Sequence, residues 1–187
     1  MITNMSPLRL PASALPVLGI LLFATTGHAA TALRLDLPAL VAAADLVVRG
    51  TVSSASCRMA DDGRIVTDSV VHIDETLNGN PDDDAVVVST LGGEVGNRGQ
   101  HVSGSPVLRA GDEVVLFLQR SVPATSRTSV VGLAQGAFHV VRSQARPFLV
   151  RRLDGMVLTG TDAVPIPEDL DVLRESIRTL VRAGVPR

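Results

Sequence analysis

The residues that could most readily carry out a reaction lie within residues 92–106, where a histidine is close in sequence to two serines. His101 could act as a general base toward the hydroxyl of Ser103 or Ser105, which is the arrangement of a serine hydrolase. The Gly-x-Ser-x-Gly turn that presents the catalytic serine in many hydrolases is absent. We therefore keep a serine-type hydrolase that uses residues 101–105 as an alternative function.

The same stretch is rich in glycine and carries polar side chains, so it is also the first candidate for a binding loop. It lacks the lysine and the following helix of a phosphate-binding loop, and its composition favours a flexible connection. Long loops in compact domains often carry function. The candidate binding residues are Gly92, Gly93, Glu94, Asn97, Arg98, His101, Ser103 and Ser105.

Two further patterns resemble metal sites but lack ligands. His72 and Asp74 could share one face of a strand, yet zinc usually takes at least three protein ligands, and no other His or Cys is close in sequence. Residues 78–84 alternate like a calcium loop, but Asp83 replaces the turn glycine and Ser89 replaces the bidentate glutamate. We predict an exposed polar face, a solvated acidic turn, no metal and no cofactor.

The composition argues against nucleic acid as a partner. All 17 basic residues are arginine, the formal net charge is −2, and the chain has four Phe but no Trp or Tyr. A basic footprint and aromatic stacking platforms are therefore both missing. A protein partner would have to be bound by Arg, Phe and aliphatic side chains.

Residues 1–29 have the pattern of a signal peptide, with cleavage predicted after Ala29 and a usable second site at Ala30-Thr31-Ala32. The apolar run of residues 14–24 is too short to span a membrane as a helix. Cys57 is the only cysteine, so no disulfide can form within the chain, and we expect its thiol to be buried or half-buried. The sequence thus predicts a soluble exported protein, periplasmic or extracellular, with residues 30–187 as a single domain.

Short valine-rich runs bounded by Gly, Asp, Asn and Pro predict a mainly β chain. In the second predicted strand, Asp68 shares a polar face with His72 and Asp74. The turns at residues 134–136 and 154–155 predict two hairpins that join the last four strands in pairs. The predicted strands cover residues 45–53, 64–77, 85–90, 113–119, 128–133, 137–142, 148–151 and 156–158.

Helices are predicted at both ends of the strand region. Asp36 suits the N-cap of a short helix whose apolar residues recur at helical spacing up to Ala44. A second, amphipathic helix is predicted over residues 167–183, with Pro167 in its first turn and Gly184 at its end. Its charged side is predicted to be a solvated face with salt bridges.

The strand sequences Ala44-Asp45-Leu46-Val47-Val48-Arg49-Gly50-Thr51-Val52 and Gly111-Asp112-Glu113-Val114-Val115-Leu116-Phe117-Leu118 resemble an uncharacterised family of exported bacterial proteins. More remotely, this strand pattern resembles the OB barrel of netrin-like domains and of tissue inhibitors of metalloproteinases. The resemblance implies a small closed or partly open OB-like barrel, with a short N-terminal helix and a C-terminal amphipathic helix. Those inhibitors use an amino-terminal cysteine and several disulfides, which this chain lacks, so their mechanism does not carry over.

These observations favour a non-catalytic, exported binding or inhibitor-like module. It would act on an envelope or extracellular protein partner through residues 92–106 and the barrel rim. The alternatives are the hydrolase described above and a structural component of the cell envelope without a discrete site.

Overall fold

The computed structural model describes residues 30–120, 127–143, 146–160 and 165–184, so the predicted signal peptide lies outside the described residues. Strands make up most of the ordered elements. In chain order, the strands and the two α-helices are β1 (Ala30–Leu33), α1 (Leu37–Ala43), β2 (Leu46–Met59), β3 (Ile65–Asn78), β4 (Ala85–Leu91), β5 (Gly93–Val95), β6 (Arg98–Gln100), β7 (Glu113–Arg120), β8 (Arg127–Val130), β9 (Ala137–Val141), β10 (Phe148–Val150), β11 (Met156–Thr159) and α2 (Leu170–Ala183).

One seven-stranded sheet forms a partly open barrel. Its strand order is β10-β9-β7-β2-β3-β4-β8, and β8 also pairs with β7, so the sheet curls back on itself. The barrel is not fully closed, because β8 contributes only two residue pairs to β4 and three to β7. The predicted fold class, mainly β with a short N-terminal helix and a C-terminal helix, is confirmed.

The long strands β2 and β3 bend because their pairing contains register shifts. One shift lies between Arg49 and Gly50, and such bulges increase local bending and twist. A Cβ atom on Gly50 would lie 2.2 Å from the carbonyl oxygen of His72, so the close approach of the two strands requires glycine. The strand β2 also continues past residue 53, where the sequence predicted its end, to Met59.

The central strand β7 faces a buried layer on each side. Val115 and Phe117 pack into a cluster with both helices, whereas Val114, Leu116 and Leu118 pack inside the barrel. All five side chains are fully buried. A continuous apolar run is typical of a strand that is covered on both faces, and this prediction is confirmed.

The two helices cover the cluster that contains Val115 and Phe117, which we call the outer cluster. The side chain of Asp36 accepts a hydrogen bond from Ala39 N at 2.9 Å, as predicted for the N-cap of α1. The predicted start of the second helix is wrong by three residues. Pro167 precedes the helix, and Asp169 caps it by accepting hydrogen bonds from the backbone of Asp171 and Val172.

The two hairpins predicted for the last four strands are wrong. β8 and β9 pair one after the other along the same edge of β7, separated by a 3-10 turn at Leu133–Gly136. β10 pairs with β9, whereas β11 pairs in parallel with β1 at the start of the chain. Turn residues show where a chain reverses, but the partner of each strand depends on which sheet edges are free.

Candidate functional site

The candidate binding segment contains a hairpin rather than a featureless flexible connection. β5 and β6 pair from Gly93 with Gln100 to Val95 with Arg98. Gly96 has a φ of +61° and is the first central residue of the two-residue turn, the position that a type II′ turn gives to glycine. The Gly-Asn dipeptide at residues 96–97 was the available signal for this hairpin.

Three hydrogen bonds attach the hairpin to β3. Ile65 N donates to Gln100 Oε1 at 2.8 Å, and Gly92 N donates to the Ile65 carbonyl at 2.8 Å. The hydroxyl of Thr67 donates to the Gly92 carbonyl at 2.7 Å. The base of the hairpin is therefore held at the end of the barrel where β3 begins.

The chain that follows the hairpin is also attached to the rest of the fold. Gly104 N donates to the Asp154 carbonyl at 3.2 Å, and its own carbonyl accepts from Ala134 N at 2.9 Å. The hydroxyl of Ser105 donates to the Leu91 carbonyl at 2.6 Å. These bonds fix residues 101–106 against three separate parts of the chain.

A small cleft of about 110 Å³ lies between the hairpin base, the paired ends of β3 and β4, and residues 100–108. Thr67, Thr90 and Gln100 contribute polar groups to its wall. Its apolar wall is formed by Leu91, Val102, Pro106, Val107 and Leu108. Val107 is 53% exposed, so the apolar wall reaches the surface.

The structure brings together half of the predicted binding residues. Gly92, Gly93, His101 and Ser105 line the cleft. The other four lie elsewhere: Glu94, Asn97 and Arg98 are exposed on the hairpin, and Ser103 packs against Gly155.

The hydrolase arrangement is only partly assembled. His101 and Ser105 line the same cleft, but the serine hydroxyl donates its proton to the Leu91 carbonyl. The imidazole of His101 is exposed and has no hydrogen bond to any residue that the structure describes. A base that takes the serine proton would have to replace the bond to Leu91.

The polar face of β3 is exposed only in part. His72 is exposed, and Asp74 accepts a hydrogen bond from the hydroxyl of Thr51 at 3.2 Å. Asp68 is instead shielded by Arg58 and Arg127, whose Nε atoms lie 2.7 and 3.2 Å from its carboxylate. Within the described ranges, no three His, Cys, Asp or Glu side chains are placed to hold a metal.

The charge of Asp68 is stabilised by its partners. Partial burial disfavours the charged carboxylate, but hydrogen bonds from Arg58 and Ser89 outweigh it and lower the pKa of Asp68. This aspartate therefore belongs to an ion-pair group and does not present a free carboxylate.

The prediction of a buried or half-buried Cys57 is wrong. The side chain is exposed, on the part of β2 that continues past residue 53. Its Sγ lies 3.3 Å from the hydroxyl oxygen of Thr67. A Cβ on Gly93 would lie 2.5 Å from this sulfur, so the hairpin approaches β2 as closely as glycine permits.

A group of ion pairs between α2 and the barrel was not predicted from the sequence. Glu75 lies 2.8 Å from Arg174 and 2.9 Å from Arg178, and Arg49 is within 4.0 Å of the same carboxylate. The charged side of α2 is therefore partly covered by the barrel rather than fully solvated. These partners are far apart in sequence, so no local pattern predicts their ion pairs.

No protein-family model matches this chain, and no curated protein matches it significantly. Within the described parts of the chain, no helix has both the length and the apolar character needed to cross a membrane. The resemblance to netrin-like barrels stays a prediction.

Proposed function

We propose that this protein is a non-catalytic, exported binding module that holds one side chain of a protein partner in the cleft beside the β5–β6 hairpin. The observation that supports the proposal is the size of the cleft, about 110 Å³. Small-molecule sites usually enclose roughly 300–1,000 Å³, so this cleft suits a single side chain better than a whole ligand. Export rests on the leader pattern in residues 1–29.

The chemistry of the wall favours an aliphatic side chain on the partner. Val102, Pro106 and Val107 offer apolar surface, and Val107 extends it to the rim. The exposed Glu94 and Arg98 on the hairpin supply a polar surround of mixed charge. An apolar pocket within a polar rim is the usual arrangement at the centre of a protein interface.

The cleft is held by the fold, which favours binding without a large ordering cost. Hydrogen bonds made by Gln100, Gly92 and Ser105 fix its walls before any partner binds. A pre-formed pocket loses less conformational entropy on binding than a free loop would lose.

The two alternative functions have weaker support. The hydrolase requires Ser105 to exchange its bond to Leu91 for a bond to His101. A structural envelope component would not need a pre-formed apolar cleft.

The test compares the wild-type protein with Val107→Asp and with a matched control, Val172→Asp. Val107 is 53% exposed at the cleft, and Val172 is 52% exposed on α2, so both changes add a charge at equally exposed valines. Each immobilised protein is incubated with envelope and culture-fluid extracts of the source organism. A photo-crosslinking amino acid at the position of Arg98 identifies what lies beside the hairpin.

We expect one partner that is crosslinked from position 98 and retained by wild type and Val172→Asp. Val107→Asp should bind it at least about tenfold more weakly. Equal retention by all three proteins would exclude the cleft as the contact. Absence of any partner would favour the structural role, and ester hydrolysis that is lost in Ser105→Ala would favour the hydrolase.

A further inference from the structure

A second cavity lies between β10 and the segment that leads into α2. Its volume is about 290 Å³, close to the lower limit of roughly 300 Å³ for small-molecule sites. Phe138, Phe148 and Leu149 form part of an apolar wall. The charged side chains in the lining are Arg151 and Glu168, so the cavity combines apolar surface with a guanidinium.

The guanidinium of Arg151 shares its cavity with the carboxylate of Glu168 but forms no ion pair with it. Its Nη1 atom is shielded from solvent and has no hydrogen-bond partner, and its Cζ lies 5.3 Å from the centroid of the Phe138 ring. Other partly buried arginines, such as Arg49 and Arg174, form ion pairs with glutamates. Within the part of the chain that the structure describes, Arg151 has no such pair.

The surroundings make this charge costly. Burial lowers the pKa of Arg151, the charge of Arg34 lowers it further, and Glu168 has the opposite effect. The aromatic ring offsets part of the cost, since a cation over a ring face is attracted to it. A desolvated cation without an ion partner otherwise reduces stability. An anion that entered the cavity would offset part of this cost through its attraction to the guanidinium.

We propose that this cavity binds a small monocarboxylate with an aliphatic body. The carboxylate accepts hydrogen bonds from the guanidinium of Arg151, and the aliphatic body contacts Phe138, Phe148 and Leu149. The charge of Glu168 disfavours a second negative charge, so inorganic phosphate binds less well. This site is separate from the cleft of the proposed function and does not depend on it.

The experiment titrates the ¹⁵N-labelled protein with 3-methylbutanoate and, separately, with inorganic phosphate. Arginine Nε–H signals and backbone amides report binding by their chemical shifts. We expect saturable shifts at Arg151 and Leu149 with 3-methylbutanoate, and weaker binding of phosphate. Arg151→Met should lower the affinity by about tenfold or more, because a charge-assisted hydrogen bond is lost.

The matched control is Arg152→Met, which removes the charge of the next residue. Arg152 is exposed and is not among the residues that line the cavity, so this variant should bind 3-methylbutanoate as wild type does. The thermal midpoint without ligand gives a second readout. Arg151→Met should melt at the same temperature as wild type or higher, because it removes a partly buried charge that has no ion pair among the described residues.

Three results would overturn the proposal. The first is the absence of saturable shifts with 3-methylbutanoate, together with a lower thermal midpoint of Arg151→Met, which would assign the arginine a structural role. The second is unchanged affinity in Arg151→Met. The third is tighter binding of phosphate than of 3-methylbutanoate, which would indicate a general anion site.

Discussion

At the scale of single residues, His139 is a buried titratable group within the sheet. It is 6% exposed, and its Nδ1 lies 3.6 Å from Asp112 Oδ2. Burial and the charges of Arg152 and Arg109 lower the pKa of His139, while Asp112 opposes them. The imidazole is therefore held neutral at neutral pH.

The pKa of His139 predicts how stability depends on pH. Below its ordinary value of about 6.5, the unfolded chain binds protons that the folded protein does not, so the free energy of unfolding falls as pH falls. His139→Gln should lose less thermal stability than wild type between about pH 7.5 and about pH 5.5. Differential scanning calorimetry at both pH values measures this difference.

The control for this prediction is His72→Gln, because His72 is exposed on β3. Its pH dependence should match that of wild type. An unchanged pH dependence in His139→Gln would contradict the assignment of a lowered pKa to this histidine.

Single residues were predictable where the signal is local. The exposure of His72 follows from alternation along β3. The position of Arg151 in a cavity could not be predicted, because the lining joins Phe138 on β9 with Ile166 near α2. No spacing in the sequence relates these residues to each other.

At the scale of elements, α2 is an integral part of the core. Leu173 and Ile177 are fully buried in the cluster that includes Leu40 of α1 and Phe117 of β7. The sequence predicted this helix apart from its start, because its apolar stripe and its terminal glycine lie within one segment.

A pair of substitutions in α2 tests its packing. Leu173→Ala should lower the free energy of unfolding by about 2–5 kcal/mol, because it leaves a cavity in a fully buried cluster. Val172→Ala, at the adjacent position that is 52% exposed, should change it by less than about 0.5 kcal/mol. Urea denaturation followed by circular dichroism measures both, and equal effects would contradict the packing of α2.

The pairing of elements was harder to predict than their existence. The turn at residues 154–155 is real, yet β11 pairs with β1 instead of β10. The free edge of β10 is occupied by the segment before α2. The Glu168 carbonyl accepts a hydrogen bond from Leu149 N, and Asp169 forms an isolated β-bridge with Phe148. Such competition for edges involves residues far apart in sequence, so local turn chemistry does not decide it.

At the scale of the whole molecule, β7 joins the two buried clusters into one structure. Val115 and Phe117 belong to the outer cluster and Leu116 to the cluster inside the barrel. The ion pairs of Glu75 with Arg174 and Arg178 add a second connection between barrel and helix. We therefore expect the barrel and α2 to unfold together.

Two single-tryptophan variants test this cooperativity, because the chain has no tryptophan of its own. Val107→Trp reports on the barrel rim, and Val172→Trp reports on α2. Their fluorescence transitions in urea should coincide with each other and with circular dichroism. A transition at lower urea for Val172→Trp alone would show that α2 detaches before the barrel unfolds.

The pairing of β1 with β11 also sets the order in which the chain can assemble during synthesis. Ala30 pairs with Met156, so the first described strand finds its partner only after most of the polypeptide has been made. At about 5–20 residues per second, the delay between the two strands is roughly 6–25 s. A nascent chain therefore carries an unmatched β1 throughout the growth of the barrel, and chaperones that bind extended segments have that interval in which to act.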